Sequence, residues 1–289
     1  MSLKMKIATS LVACSVLLAG VAPSMSFASE SSLDKVKIDN PENMQELQLQ
    51  LNVLEQESLE VSETISQELL DILTIEDYVN AYSILESTGI LEDLSIPIEE
   101  KNQLSRNAMI EAAQFRVQNA VSGGISTLNV ADQIKRLYGS ITTQEMLLIG
   151  NYPTEALVYY NKSVTAINRA AALYTDASSD GNGDAFRHAY WNAILARGLI
   201  FVIGQNTISN ASQRAKVWTD AHEVGQTGLS TTMDSLNNSR GRSLFETNGY
   251  TISEAQYETI VKKAVGAGNL YRFAPSRTYI IATDNSTLR

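Results

Sequence analysis

The chain has a single cysteine, Cys14, and it lies inside a leader-like stretch. Whatever folds downstream therefore has neither a disulfide nor a thiolate metal site to hold it. In that leader Lys4 and Lys6 precede an apolar run from Ile7 to Val21, and Ser26-Phe27-Ala28 supplies a small-x-small cleavage signal before Ser29. This is the order of a secretory signal peptide, and the run is too short for a comfortable membrane span. Residues 1–28 are expected to be a signal peptide, leaving a secreted mature chain without a transmembrane segment. Leu11-Val12-Ala13-Cys14 resembles a lipid-attachment box, but Leu17, Leu18 and Val21 carry the apolar run past the cysteine. That favours plain secretion over a lipid anchor. A domain exported without disulfides stands on its core alone, and 44% hydrophobic residues over 289 positions suffice for one or two cores.

The net charge of −10 argues against a protein that works by binding nucleic-acid phosphates. The charge is uneven. Between Ser29 and Glu100 there are 18 acidic residues and few lysines, whereas most basic residues lie further along. The later half can thus meet an anionic substrate locally.

Helix signals recur along the chain. Glu and Gln dominate Met44 to Ile72 and favour a helix over the strand that the alternation Leu47, Leu49, Leu51, Val53 would suit. Thr74-Ile75-Glu76-Asp77 reads as a helix start, with Tyr78, Tyr82 and Leu85 on one face and Gly89 as a stop. Ser95 to Glu100 contains Pro97 and reads as a linker. A helix is expected from Glu99 to Val121, ended by Gly123-Gly124, and a short one over Asn129 to Tyr138. Thr142-x-x-Glu145 is a capping box, and Pro153 suits a first helical position before a stripe of Tyr160, Val164, Ile167 and Ala171. Further helices are expected over Asp184 to Arg197 and 212 to 227, the second after a loop through Asn210. A polar Thr/Ser/Asn stretch follows, then a last helix opened by Thr251-x-x-Glu254. Thr278 to Thr283 suits a short strand. The expected fold is mainly α: a multi-helix globular domain over 105–289, preceded by an acidic helical region over 29–104 that serves as pro-segment or spacer.

Chemistry concentrates in three segments: DAFRHAYWNA (184–193), WTDAHEVGQ (218–226) and MDSLNNSRGR (233–242). On a helix Asp184, His188 and Asn192 share one face, with Arg187 and Trp191 beside it. His222 adjoins Glu223. If the third segment is helical, Asp234, Asn237 and Asn238 share a face, followed by Arg240 and Arg242. The chain uses histidine only twice, and both fall in these segments. An imidazole titrates near neutrality and binds metals through a neutral nitrogen, and a neighbouring carboxylate fixes its tautomer. Arginines hold phosphate or carboxylate bidentately, and carboxamides orient or polarise a substrate.

Blander readings stand beside these. A histidine between Phe186 and Trp191 is often a hydrogen-bonded core residue, and Asp-x-x-x-His arises on any amphipathic helix. His222-Glu223 lacks the second histidine of a zinc-protease motif, because position 226 is Gln. Asp234-x-x-Asn-Asn can cap a helix or make Asx-turns. The arginines can be ordinary surface charge, and the two tryptophans are better read as core anchors.

Taken together, the segments resemble the signature D-A-F-R-H-A-x-W … A-H-E … M-D-x-x-N-N-x-x-G-R of a bacterial domain family of unknown function found in exported proteins. The likeness covers roughly 142–245, with Asp184, Arg187, His188, His222, Glu223, Asp234, Asn237, Asn238, Gly241 and Arg242 at matching positions. It implies one site assembled from three segments and no particular reaction. F-R-H-A-Y-W-N is also similar to the R-H-D-x-x-Y-x-N helix of bacterial phospholipases A2. Ala189 stands where that pattern has its carboxylate, which counts against a calcium-supported lipase.

The leading expectation is a secreted hydrolase of an ester or phosphoester, in a lipid or cell-wall polymer. His188, His222 and Glu223 would be catalytic, with Glu223 as general base, and Asp184, His188, His222 and Asp234 would hold a divalent metal. Arg187, Asn192, Asn237, Asn238 and Arg242 would bind substrate. Zinc, manganese and iron suit the ligand types equally. The alternatives are a non-catalytic extracellular binding or structural module and an exported antibacterial effector.

Overall fold

The computed structural model describes residues 70, 73–121, 141–178, 180–204 and 206–289. The signal-like leader with Cys14, the expected helix over 44–72 apart from Leu70, the Gly123-Gly124 stop and the expected helix over 129–138 lie outside these residues. Those described form eight helices and one small ribbon. The helices are α1 (Ile75–Ser87), α2 (Ile98–Val121), α3 (Thr143–Asn151), α4 (Pro153–Leu173), α5 (Asn182–Leu199), α6 (Ile208–His222), α7 (Leu229–Asn248) and α8 (Glu254–Gly266). Strands β1 (Tyr271–Phe273) and β2 (Ile280–Ala282) pair antiparallel, Arg272 opposite Ile281. The fold is mainly α.

Local chemistry explains the helix starts. Thr74 caps α1, and the Asp77 carboxylate returns to the Thr74 amide at 2.8 Å. Thr142 and Glu145 form the same reciprocal pair before α3, and Pro153 opens α4. Elsewhere the elements depart from expectation. The buried face of α4 runs through Tyr159, Tyr160, Ser163, Ala166, Ile167 and Ala170, leaving Ala171 exposed. Helix α6 starts at Ile208, because Thr207 accepts from the Asn210 amide, and it stops at His222 with Glu223 as its C-terminal cap. The box before α8 is Ser253 with Gln256 rather than Thr251 with Glu254.

The polar stretch after residue 228 is a 20-residue helix, α7. It has no continuous apolar stripe for a sequence pattern to catch, because between buried Met233 and Phe245 its inward face is Asp234, Asn237, Asn238 and Gly241, which meet the polar face of α5. A division at residue 104 also does not follow the packing. That residue lies inside α2, and α1 and α2 pack on α4 and contribute to the same hydrophobic core. Buried Lys162 of α4 donates to Tyr82 Oη of α1 and pairs with Glu254 of α8, both at 2.8 Å. Lys101 of α2 donates to the carbonyls of Leu91 and Phe201 at 2.9 Å each.

Helix α5 is the hub. It packs against α4, α6, α7, α8 and β1, and only Arg187, Arg197 and Gly198 among its 18 residues escape burial. A helix enclosed on all sides needs small residues where its neighbours come closest. Ala185, Ala189 and Ala193 provide that strip, and α7 answers with Gly241. A Cβ placed at 241 would lie 2.1 Å from the Ala189 carbonyl oxygen, so the two backbones touch there.

Gly241→Ala is therefore expected to push α7 off α5 and lower stability by about 3 kcal/mol or more, beyond ordinary overpacking because the clash is with backbone. Urea unfolding checks this. A midpoint equal to that of the unmodified chain would show that the helices part without strain.

Candidate functional site

The α5–α7 contact sets His188 and Asn192 of one helix against Asp234 and Asn238 of the other. The connections run in one direction. Arg242 Nη1, which only donates, bonds Asn192 Oδ1 at 2.8 Å. Asn192 Nδ2 donates to the His188 carbonyl at 3.1 Å and to Asn238 Oδ1 at 2.6 Å. Asn238 Oδ1 is thus an acceptor, and His188 Nδ1, 3.1 Å away, must carry the proton. The other ring nitrogen, Nε2, is left with its lone pair. Burial first, then the Arg187 charge and that of His222, hold the imidazole well below its ordinary pKa, so it stays neutral.

Two carboxylate oxygens converge on that nitrogen, making three lone-pair atoms in one place. Asp234 Oδ1 lies 3.2 Å and Asp184 Oδ1 3.8 Å from His188 Nε2, and ligand atoms of all three residues lie within 4.8 Å of one another. Asp234 Oδ1 is buried and makes no hydrogen bond. Around one ion at bond lengths of about 2.1 Å, ligand atoms sit roughly 3–4 Å apart. The donor set fits a divalent cation. Arg187 reaches into the same place, with Nη2 at 2.5 Å from Asp184 Oδ1 and 2.7 Å from His188 Nε2.

Asp234 is pushed up to about 8, first by burial and then by the charges of Asp184 and Glu223, with Arg187 opposing. Glu223 is raised for the same reasons. Burial leads, Asp184 and Glu145 add, and His222 and Arg187 oppose. Its Oε2 is buried without a hydrogen bond.

His222, expected as a fourth metal ligand, stands apart from the cluster. Its ring meets Trp191 edge-on, 5.8 Å between centres, and its Nδ1 pairs with Glu145 Oε1 at 3.2 Å. Glu145 also takes the Tyr159 hydroxyl at 2.7 Å, while its second oxygen caps α3. The hydrogen bond and charge of His222 keep Glu145 below the ordinary carboxylate range, overcoming a larger opposing effect of burial. The residue was legible only as a cap; its buried position behind a histidine depends on α3 packing against α6.

Asn237 is not available to a substrate. Its amide donates to the Tyr271 carbonyl and accepts from the Tyr271 amide, both at 2.9 Å, tying β1 to α7. Asn192, fully buried, and Asn238 are occupied in the chain that orients His188, and Arg242 is the donor that begins it. All four had been expected to bind substrate; three hold the histidine and one holds the ribbon. Trp191 and Trp218 are core anchors, both fully buried and packed on Tyr159. A surface depression of about 360 Å³ lined by Thr259, Lys262, Lys263, Gly266, Asn285 and Leu288 contains none of these residues. The cluster itself is enclosed, with Arg187, His222 and Glu223 partly exposed at its rim.

Two outcomes follow. Because the chain has two histidines, ¹⁵N-histidine labelling resolves every ring nitrogen, and His188 is expected as the neutral Nδ1–H tautomer; an Nε2–H signal would break the donor chain derived above. A carboxyl whose pKa is raised on folding binds more protons in the folded state between its unfolded value and about 8, so stability falls as pH rises through that window. Asp234→Asn, which mimics the protonated acid, is expected to gain on the order of a few kcal/mol over the unmodified chain at pH 8 without added metal. The gain should shrink towards pH 4. Parallel melting curves for the two proteins across this range would contradict the account.

A family model described as a domain of unknown function, DUF6973, matches residues 146–269, a span from within α3 to just past α8 that includes every residue of the cluster and begins one residue after Glu145. No curated protein and no solved structure matches the chain. Among the described residues no helix is long and apolar enough to cross a membrane.

Proposed function

We propose that the chain is a hydrolase of an ester or phosphoester with a divalent cation at its centre, held by Asp184, His188 and Asp234. The observation that carries this reading is the convergence of three lone pairs, one on a buried carboxylate oxygen that has no hydrogen-bond donor. A buried acceptor without a partner is costly, and a cation satisfies it together with its two neighbours. Two carboxylate oxygens and an imidazole nitrogen suit zinc, manganese or iron. Such an ion would supply Lewis acidity and lower the pKa of a bound water.

The chain's own groups provide the rest. Glu223, partly exposed and with a buried Oε2 that has no hydrogen bond, takes the proton of the attacking water. The water oxygen forms a bond to the acyl carbon or phosphorus, and the bond to the leaving oxygen breaks. His222, steadied by Glu145, gives that oxygen its proton. Arg242, Asn192 and Asn238 keep the lone pair of His188 turned inward. The signal-like leader supports a site of action outside the cell. A second reading, a non-catalytic module whose polar network fixes the helices, is favoured at one point: Asn237 spends its whole amide on β1.

Metal content by plasma mass spectrometry, with titration of manganese and zinc, tests the centre. The unmodified chain should bind one ion, and His188→Ala and Asp234→Asn should each lose affinity by at least about tenfold. Because Asp234 must shed its proton to bind, affinity should rise about tenfold per pH unit up to about 8. A chain that takes up no metal and is not stabilised by any would leave the structural module. Hydrolysis of a chromogenic phosphoester that survives Glu223→Gln unchanged would remove Glu223 from its role.

A further inference from the structure

We infer that Arg187 is the anion anchor of this centre and that the arriving cation delivers it, which makes the preferred substrate an oxyanion such as a phosphoester rather than an uncharged carboxylic ester. The inference rests on the cation-centre reading and extends it to the class of substrate.

The argument begins with one lone pair. A neutral imidazole with its proton on Nδ1 has a single acceptor site, Nε2, and Arg187 Nη2 bonds it at 2.7 Å. A guanidinium N–H and a metal ion cannot both use that lone pair. The same Nη2 bonds Asp184 Oδ1 at 2.5 Å, with Nε adding a contact at 3.1 Å, so the guanidinium also lies against a second member of the cluster. Only Asp234, the third member, lies outside the arginine's hydrogen bonds, and its Oδ1 is the atom without a partner. Cation and guanidinium are therefore alternatives for one position.

Exposure decides where the displaced group goes. The side chains of His188 and Asp184 are 3% and 6% accessible, and that of Arg187 is 16%. The arginine sits on the solvent side of the atoms it bonds, so it leaves outward, towards the approach that a substrate must take. Charge points the same way. A divalent ion balances Asp184 and Asp234, which leaves the guanidinium as the positive charge beside the ion that no longer faces a net negative cluster. A planar fork of donors beside a metal matches two oxygens of a tetrahedral oxyanion, and an uncharged ester offers it nothing comparable.

Isothermal titration on the full chain tests this with two probes, manganese ion and inorganic phosphate. Arg187→Ala should bind manganese about tenfold more tightly than the unmodified chain, because a charge-assisted competitor is gone. Once loaded with manganese, it should bind phosphate at least about tenfold more weakly than the loaded unmodified chain. Should Arg187→Ala fail to fold, Arg187→Gln removes the same charge and is expected to move both affinities in the same directions. Equal manganese affinities, or equal phosphate affinities after loading, overturn the role of Arg187 while leaving the cation centre intact. Manganese uptake by neither protein sinks the centre and the anchor together.

Discussion

The site depends on a contact that involves no functional group. Where α5 and α7 cross, Gly241 leaves room for the Ala189 carbonyl, and the helices approach as closely as backbones permit. Asp234, Asn237 and Asn238 lie one and two turns before Gly241, and Arg242 lies just after it. Bringing the axes together at one residue therefore presents a whole row of polar side chains to His188 and Asn192. A wider crossing would admit water, and the chain from Arg242 through two carboxamides to the imidazole would lose its fixed direction.

Burial then turns these side chains into an unusual electrostatic group. Asp184, Asp234 and Glu223 interact with one another at low exposure, and Arg187 is the cation that bonds the cluster. The histidine adds no positive charge, since burial and Arg187 hold it neutral. Asp234 keeps a proton near neutrality for this reason, and its elevated pKa and unpaired oxygen express one imbalance in two ways.

Much of this was legible in the amino-acid order. The capping pairs at Thr74 and Thr142, Pro153, and the spacing of Asp184, His188 and Asn192 all predicted what forms, because each rests on neighbours within one turn. Helix α7 was harder to see. Between Met233 and Phe245 its inward face is Asp234, Asn237, Asn238 and Gly241, residues of poor helical propensity that are paid for by the polar face opposite. The roles within the site were harder still. His222 looks like a second ligand until the packing of α3 supplies Glu145 and Trp191 intervenes at its edge. Asn237 and Arg242 look like substrate contacts until their partners, Tyr271 and Asn192, are known from elements more than 30 residues away.

The start of α5 shows how far such dependence reaches. Gly181 offers no capping side chain, so Asp176 accepts from the amides of Asn182 and Gly183 at 2.8 and 2.9 Å. Asp176 is in turn held by the Thr287 hydroxyl, Asn182 exchanges two bonds with Asp284, and the Arg289 amide closes on the Leu173 carbonyl. The stretch 284–289 therefore acts as a splint for the first turn of the helix that carries Asp184. Nicking by a protease there would loosen the turn that carries Asp184, so damage at the surface near the end of the chain would reach the buried polar cluster around His188.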